Sequence, residues 1–262
     1  MTSVKRTSQL VGVIVALGLL VLFWSYFIER NIIIIREEVI ETGFEAKIGL
    51  IADFHLGQWK DEEFLERVVN KVNNLELDYV FIAGDFTYKI SGDEIERMFN
   101  PLSDLNIPTY AVLGNHDTID LTIIERNELE RVIVENNVIL LNNNLVELDS
   151  FRLVGLGSAM SGEDDVSLIN GDLNSKVIVL THNPDTVLKY DRDVDLTLTG
   201  HTHCGQVRIP FLYKLMIPTF GNFDKGLSNE EMTKLYITCG LGEVGVPLRL
   251  FNPPVIDVLI LT

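Results

Sequence analysis

From residue 46 to residue 262 the apolar residues fall into nine short runs, at 46–52, 78–83, 108–113, 138–141, 151–156, 176–180, 195–199, 234–238 and 255–261. Each is rich in Val, Ile, Leu or Tyr, and none exceeds seven residues. Runs this short suit buried strands, because a helix needs a longer stretch to bury one face. Between the first two, Phe64, Leu65, Val68, Val69 and Val72 recur at i, i+1, i+4, i+5 and i+8, which marks one apolar helix face lying on a sheet. Strands alternating with helical patterns indicate an α/β domain, and so many strands fit most simply into a two-sheet core flanked by helices.

Five of the runs are followed within a residue or two by a polar side chain: Asp53, Asp85, Asn115, His182 and His201. In open α/β sheets ligands collect beyond the carboxyl ends of strands, so these residues are expected to converge. The clusters read Asp53-Phe54-His55, Gly84-Asp85, Gly114-Asn115-His116-Asp117, Thr181-His182 and Gly200-His201-Thr202-His203, and they contain all five histidines of the chain. Carboxylate, amide oxygen and imidazole suit Mn, Fe, Zn or Mg, and a set without thiolate points to a catalytic rather than a structural metal site. Taken singly, each cluster is ordinary: Gly-Asp is usually a turn, and a lone histidine usually a satisfied core residue. Their joint occurrence at strand ends carries the metal reading.

The order DxH, GDx, GNH(D/E), H, GHxH resembles the calcineurin-like metallophosphoesterase superfamily, and this sequence matches all five blocks over roughly 46–262. The resemblance implies a four-layer α/β/β/α sandwich. It implies Asp53, His55 and His203 on one metal, Asn115, His182 and His201 on a second, and Asp85 bridging. A bridging water or hydroxide would be the nucleophile on a phosphoester or pyrophosphate. His116 would contact the phosphate and assist the leaving oxygen, with Asp117 orienting it; Asp117 could instead cap a helix beginning near Asp120 or Leu121. Two divalent ions are implied, with Mn the first choice. The stretches GHTHCGQVRIP (200–210) and GLGEVGVPLRLFNPP (240–254) look like the membrane-anchored bacterial branch, which includes enzymes resembling UDP-2,3-diacylglucosamine pyrophosphatases. A non-catalytic scaffold or a metal sensor is the alternative class, and the intact ligand pattern with His116 argues against both.

Residues 10–28 are nineteen in a row without a charge, preceded by Lys5 and Arg6, long enough to cross a bilayer and with no convincing small-residue cleavage site after them. The expected organisation is a short segment at 1–9, an anchor at 10–28, a polar connector at 29–45 and the catalytic domain at 46–262, giving a single-pass cell-membrane protein. The leading positive charges favour an exported domain, while Arg30 and Arg36 weaken the bias. A net charge of -17 argues against nucleic acid as a partner. No obligate protein partner is inferred. Cys204 and Cys239 fit neither a CxxC site nor a disulfide framework and leave the redox compartment open. The segment 209–223 is rich in apolar residues; its simplest reading is packing onto the domain, with a bilayer-facing or acyl-chain-binding loop as the alternative. Arg208 and Lys214 are candidates to flank a phosphate.

Overall fold

The computed structural model describes residues 2–169, 176–221 and 223–262. Its strands are β1 (Ile34–Ile40), β2 (Ala46–Ile51), β3 (Leu56–Gly57), β4 (Tyr79–Ala83), β5 (Thr87–Tyr88), β6 (Thr109–Val112), β7 (Val138–Leu140), β8 (Asn144–Glu147), β9 (Arg152–Gly155), β10 (Val177–Leu180), β11 (Leu196–Thr199), β12 (Gly226–Asn229), β13 (Lys234–Ile237) and β14 (Val255–Leu261). They form two six-stranded sheets, ordered β1-β14-β2-β4-β6-β7 and β12-β13-β11-β10-β9-β8, and a small β3-β5 pair. β2, β4 and β6 run parallel, as do β10 and β11, so the strand ends that carry the polar clusters open toward one crevice.

The period-2 alternation of the strands sorts their side chains into layers. Ile48, Leu50, Phe81 and Tyr110 from the first sheet meet Leu153, Ile178, Leu196 and Tyr236 from the second in one buried cluster between the sheets. Their neighbours Ile51, Val80 and Ile82 face the other way, onto the helices. Helix α1 (Thr2–Phe23) stands apart from that layer. α2 (Glu62–Asn73), capped by Asp61 accepting from the Phe64 amide, buries the five residues of its expected apolar face. At about 1.5–3 kcal/mol for each large side chain taken out of water, that stripe fixes the helix on the sheet. α3 (Ile95–Phe99) and α5 (Ile123–Glu135) complete the layer, and α4 (Asn115–Thr118) is a single turn at the crevice. The outer face of the second sheet is covered more thinly. Among the described residues it carries 3₁₀ turns at Val166–Ile169 and Pro184–Lys189 where the sandwich was expected to have α-helices.

Part of the expected polar connector is strand. β1 pairs in parallel with β14, and Arg36 Nε donates to the buried Asp257 carboxylate at 2.6 Å. The run Arg36-Glu37-Glu38 hides β1 from a reading of hydropathy, because only Ile40 of this edge strand is buried. Charged residues on an edge also discourage pairing with another chain.

Thr7–Asn31 forms a helix long and apolar enough to cross a membrane, continuing from α1 through one π turn at Trp24–Ile28 and a 3₁₀ turn at Glu29–Asn31. Its base is locked to the domain. Ser25 Oγ donates to the Arg249 carbonyl at 2.7 Å, Arg30 pairs with the buried Glu243 at 3.1 Å, and the Asn252 amide donates to Glu29 at 2.6 Å.

Candidate metal centre

Asp53 follows β2, Asp85 follows β4, and Asn115 and His116 follow β6, while His182 follows β10 and His201 and His203 follow β11. The two sheets therefore bring two halves of one site together across the crevice. Asp53, His55 and His182 are fully buried, and Asp85, Asn115, His201 and His203 nearly so. Donor atoms of Asp53, His55 and His203 lie within 4.8 Å of one another, as do those of Asp85, His182 and His201. Asp85 joins the sets, 3.1 Å from His182 Nε2 and 3.6 Å from His55 Nε2.

The backbone is held out of its comfortable range to achieve this. Five of the seven candidate ligands, Asp53, His55, Asp85, His201 and His203, have φ between 47° and 68°. Left-handed non-glycine residues cost about 1–3 kcal/mol each and persist where the surroundings over-determine them. Gly114 is required by closeness: a Cβ there would lie 2.1 Å from an Asp85 carboxylate oxygen. Its neighbour His116 instead donates its amide to that carboxylate at 2.9 Å.

The imidazoles are oriented by their other nitrogens. His55 Nδ1 meets the Thr87 carbonyl at 3.3 Å and His182 Nδ1 the Ala83 carbonyl at 2.7 Å. A carbonyl only accepts, so each Nδ1 carries a proton and each Nε2 is the nitrogen turned to the crevice. Burial and the neighbouring imidazoles push His55 down to about 3 and His201 down to about 4, so both are neutral donors. Burial is the largest influence on His182 and lowers it, but the Asp85 and Asp53 carboxylates and the Ala83 carbonyl together outweigh it and raise it to about 9, so a cation would displace a proton from Nε2.

The polar atoms left over test whether a cation fits. Asp53 Oδ2 and Asn115 Oδ1 are buried without a hydrogen-bond partner. His55 Nε2 also faces His203 Nε2 at 3.0 Å, and His201 Nδ1 faces His182 Nε2 at 3.2 Å. Buried polar atoms that protein groups leave unpaired are costly, and a cluster of acceptors turned inward fits a divalent cation. Asp85, Asn115, His116, His201 and His203 open onto a cavity of 410 Å³, whose opposite wall includes Met160, Gln206, Met216, Pro218 and Val244.

Several expectations need correcting. Asp117 does not orient His116: its carboxylate accepts from the amides of Phe86, Thr87 and Gly114 and from the Thr87 hydroxyl, tying the loop after β4 to the loop after β6. The oxygen facing His116 Nδ1 belongs to Asp120, at 2.5 Å. Asp120 lies four residues after His116, in the bend just past α4, which folds its side chain back onto the imidazole, and the nearer aspartate masked it. Nor does Asp117 cap the following helix, which begins at Ile123 with Thr122 as its cap.

Cys204 and Cys239 form a buried disulfide, joining the residue after His203 to the end of β13. Sequence distance concealed the pair, because β13 lies beside β11 in the sheet. Most of the apolar segment is not packed inward, although Phe223 at its end joins the core cluster on the outer face of the second sheet. Phe211, Leu215 and Phe220 are 94%, 84% and 93% exposed, and the 3₁₀ turn Tyr213–Met216 buries none of its residues. Arg208 is engaged by Asp224 at 2.6 Å and stacks on Tyr213, while Lys214 lines a separate small cavity.

Sequence reasoning also missed Asn252, whose Nδ2 donates to the His203 carbonyl at 2.7 Å, and the fully buried Arg249, which donates to the carbonyls of Cys239, Gly240, Gly242 and Asn252. Both bind backbone from distant loops, a role that leaves no spacing signal.

Two facing sheets whose loops gather carboxylate, amide and imidazole donors in a common crevice define the metallophosphoesterase class. The chain belongs to the calcineurin-like phosphoesterase family, whose pattern matches residues 46–205. It is 37% identical over 229 residues to an uncharacterized metallophosphoesterase of Campylobacter jejuni, covering 82% of this chain and 59% of that one. It is 30% identical over 259 residues to an uncharacterized metallophosphoesterase of Helicobacter pylori J99, covering 90% and 66%. With UDP-2,3-diacylglucosamine pyrophosphatase LpxG of Chlamydia muridarum it shares 27% identity over 314 aligned residues, covering 94% of each. The chain thus spans about three fifths to two thirds of the length of the first two relatives.

Proposed function

We propose that the protein is a membrane-anchored hydrolase of a phosphodiester or pyrophosphate bond, dependent on two divalent ions and acting on a lipid-linked or nucleotide-sugar substrate. The observation that carries this reading is the pair of buried donor sets joined through Asp85. Asp53, His55 and His203 would hold one ion, Asn115, His182 and His201 the other, and Asp85 both. Nitrogen and oxygen donors admit several metals, among which availability decides, and manganese is the first to test. When bound, such ions supply charge neutralisation at phosphate oxygens and lower the pKa of water.

The chain's own residues would do the rest. His116 is half-buried at the cavity, with its ring 5.0 Å from that of His55 and 5.2 Å from that of Tyr88. Its Nδ1 is held by Asp120, which leaves Nε2 to donate to the leaving oxygen. Met216, Pro218 and Val244 exclude water from one wall and suit an apolar part of the substrate. The likeness to an enzyme named for UDP-2,3-diacylglucosamine makes that compound the first to test.

The Cys204–Cys239 bond supports placing the domain on the oxidising side of the membrane. Arg30 and Arg36, which weaken the charge bias for export, have partners in the fold, Glu243 and Asp257. Protease treatment of intact spheroplasts tests this side; protection of the domain would refute it.

The activity test uses the full chain in detergent, stripped of metal and reloaded with Mn, Zn, Fe or Mg. Substrates are p-nitrophenyl phosphate, bis-p-nitrophenyl phosphate and UDP-2,3-diacylglucosamine. Metal-restored turnover that vanishes in Asp85→Ala is the expected result, with His116→Ala losing turnover while keeping its metal. Two bound ions with no hydrolysis of any of the three would overturn the substrate reading.

A further inference from the structure

The segment 209–220 combines the most exposed apolar side chains of the domain with an unusual charge. In a chain of net charge -17 it holds no acidic residue, and Lys214 is its only charged one. Phe211, Leu212, Leu215, Met216 and Phe220 all face solvent around that lysine. The turn is nonetheless ordered from behind, where Tyr213 donates its hydroxyl to Asp224 at 3.1 Å and stacks under Arg208. Contiguous apolar surface on this scale marks an interaction site.

The depth of the membrane helix says what covers it. At about 1.5 Å per residue the nineteen uncharged residues 10–28 reach about 28 Å, only just the ~30 Å of a hydrocarbon core. With Thr7–Gln9, also uncharged, the run reaches about 33 Å, so at most about two residues at its far end stand above the bilayer. Yet the domain grips the helix inside the run: Ser25 and Arg249 exchange hydrogen bonds of 2.7 and 3.3 Å, three residues before Ile28. The backbone at Arg249 therefore lies at the bilayer boundary, and the neighbouring Phe251 is 70% exposed. The same strip continues directly into the segment, because Leu250 and Arg208 are hydrogen-bonded at 2.9 Å and Leu250 and Gln206 at 3.3 Å.

We propose that the 209–220 segment is a second membrane contact, lying among the headgroups of the bilayer that holds the helix, with Lys214 meeting anionic lipid. Apolar side chains flanking a lysine match what interfacial elements bury at the headgroup boundary, and a lysine stem reaches outward from such a layer. Met216 and Pro218 of this segment also form the wall of the 410 Å³ cavity, so the cavity opens at the lipid surface. The site then takes a phosphate carried on an amphiphile whose apolar part stays in the membrane. This last step rests on the hydrolase reading above; the membrane contact does not.

The test uses the full chain in nanodiscs of phosphatidylethanolamine and phosphatidylglycerol. Among the described residues both native cysteines are in the disulfide, so a single introduced cysteine takes the fluorophore. Leu215→Cys reports on the segment, Ile14→Cys on the helix, and Ile139→Cys, on the edge strand opposite β1, serves as the aqueous control. The label at 215 should be quenched by lipid-borne nitroxide nearly as strongly as that at 14, and the label at 139 only by soluble iodide. Quenching at 14 without quenching at 215 overturns the proposal and leaves the anchor standing. Quenching at neither overturns both. Because the readout needs no turnover, failure of the hydrolase reading would show separately.

Discussion

The two aspartates near His116 give opposite predictions, although they lie three residues apart. Asp117 is fully buried and accepts from three backbone amides and one hydroxyl. Replacing it by alanine leaves those donors unpaired in an apolar setting, at about 1–3 kcal/mol each, or on the order of 3–9 kcal/mol for the amides alone. A domain has only about 5–15 kcal/mol to lose, so Asp117→Ala should melt far below the wild type or fail to accumulate folded. Asp120 has a side chain 43% exposed and makes one contact, to His116 Nδ1. A pair so open to solvent is worth about 0.2–1 kcal/mol, so Asp120→Ala should keep the wild-type melting curve and lose turnover by a factor of about five at most. The assay pairs thermal unfolding with hydrolysis of bis-p-nitrophenyl phosphate for both variants. An Asp117→Ala protein that melts like the wild type but is inactive, beside an Asp120→Ala protein of unchanged kcat, would refute the assignment.

Chelation should lower the melting temperature: an ion at a hundred times its Kd stabilises by about 2.7 kcal/mol, worth about 5–11 °C in a domain of this size. Calorimetry before and after Mn reloading checks this, and identical curves would show that the crevice binds no ion. Asn252→Ala removes the donor to the His203 carbonyl and should cost about 1–3 kcal/mol, with metal lost first from the Asp53, His55 and His203 set. Two full equivalents of metal by mass spectrometry, with wild-type stability, would contradict that. Reducing the Cys204–Cys239 bond, which closes a loop of sequence separation 35, should remove about 4 kcal/mol. A urea midpoint unchanged by reductant would contradict it.

The parts of this molecule that obey a period were legible. Buried strands such as β10 and β11 appear as unbroken apolar runs, and α2 repeats its apolar residues with a helical spacing. The convergence of the clusters at 53–55, 84–85, 114–117, 182 and 201–203 was legible, because polar residues that close strand after strand in an α/β sheet open onto one crevice. What stayed hidden depends on three-dimensional neighbours. β1 is an edge strand whose charges break the alternation, and β3 and β5 are too short to carry one. The disulfide joins residues brought together only by the β11-β13 pairing. Asp120 displaced Asp117 because the path of the chain after α4, not adjacency in sequence, decides which carboxylate reaches the imidazole. The outward turn of 209–220 could not be read from composition, since apolar residues read alike whether they face a core or a bilayer.

The position of β14 governs the order in which this protein can be completed during synthesis. It lies between β1 and β2 in the first sheet, so the strand just beyond the apolar amino-terminal helix must wait for one more than two hundred residues later. At about 5–20 residues per second that interval is roughly 10–40 s, during which β2, β4 and β6 have apolar faces to keep from other chains. Asp53, Asp85 and Asn115 emerge early, but the imidazoles of His182, His201 and His203 arrive with the second sheet. A nascent chain carrying only the first half therefore holds part of each donor set, and both sets are completed only when the second sheet has been made.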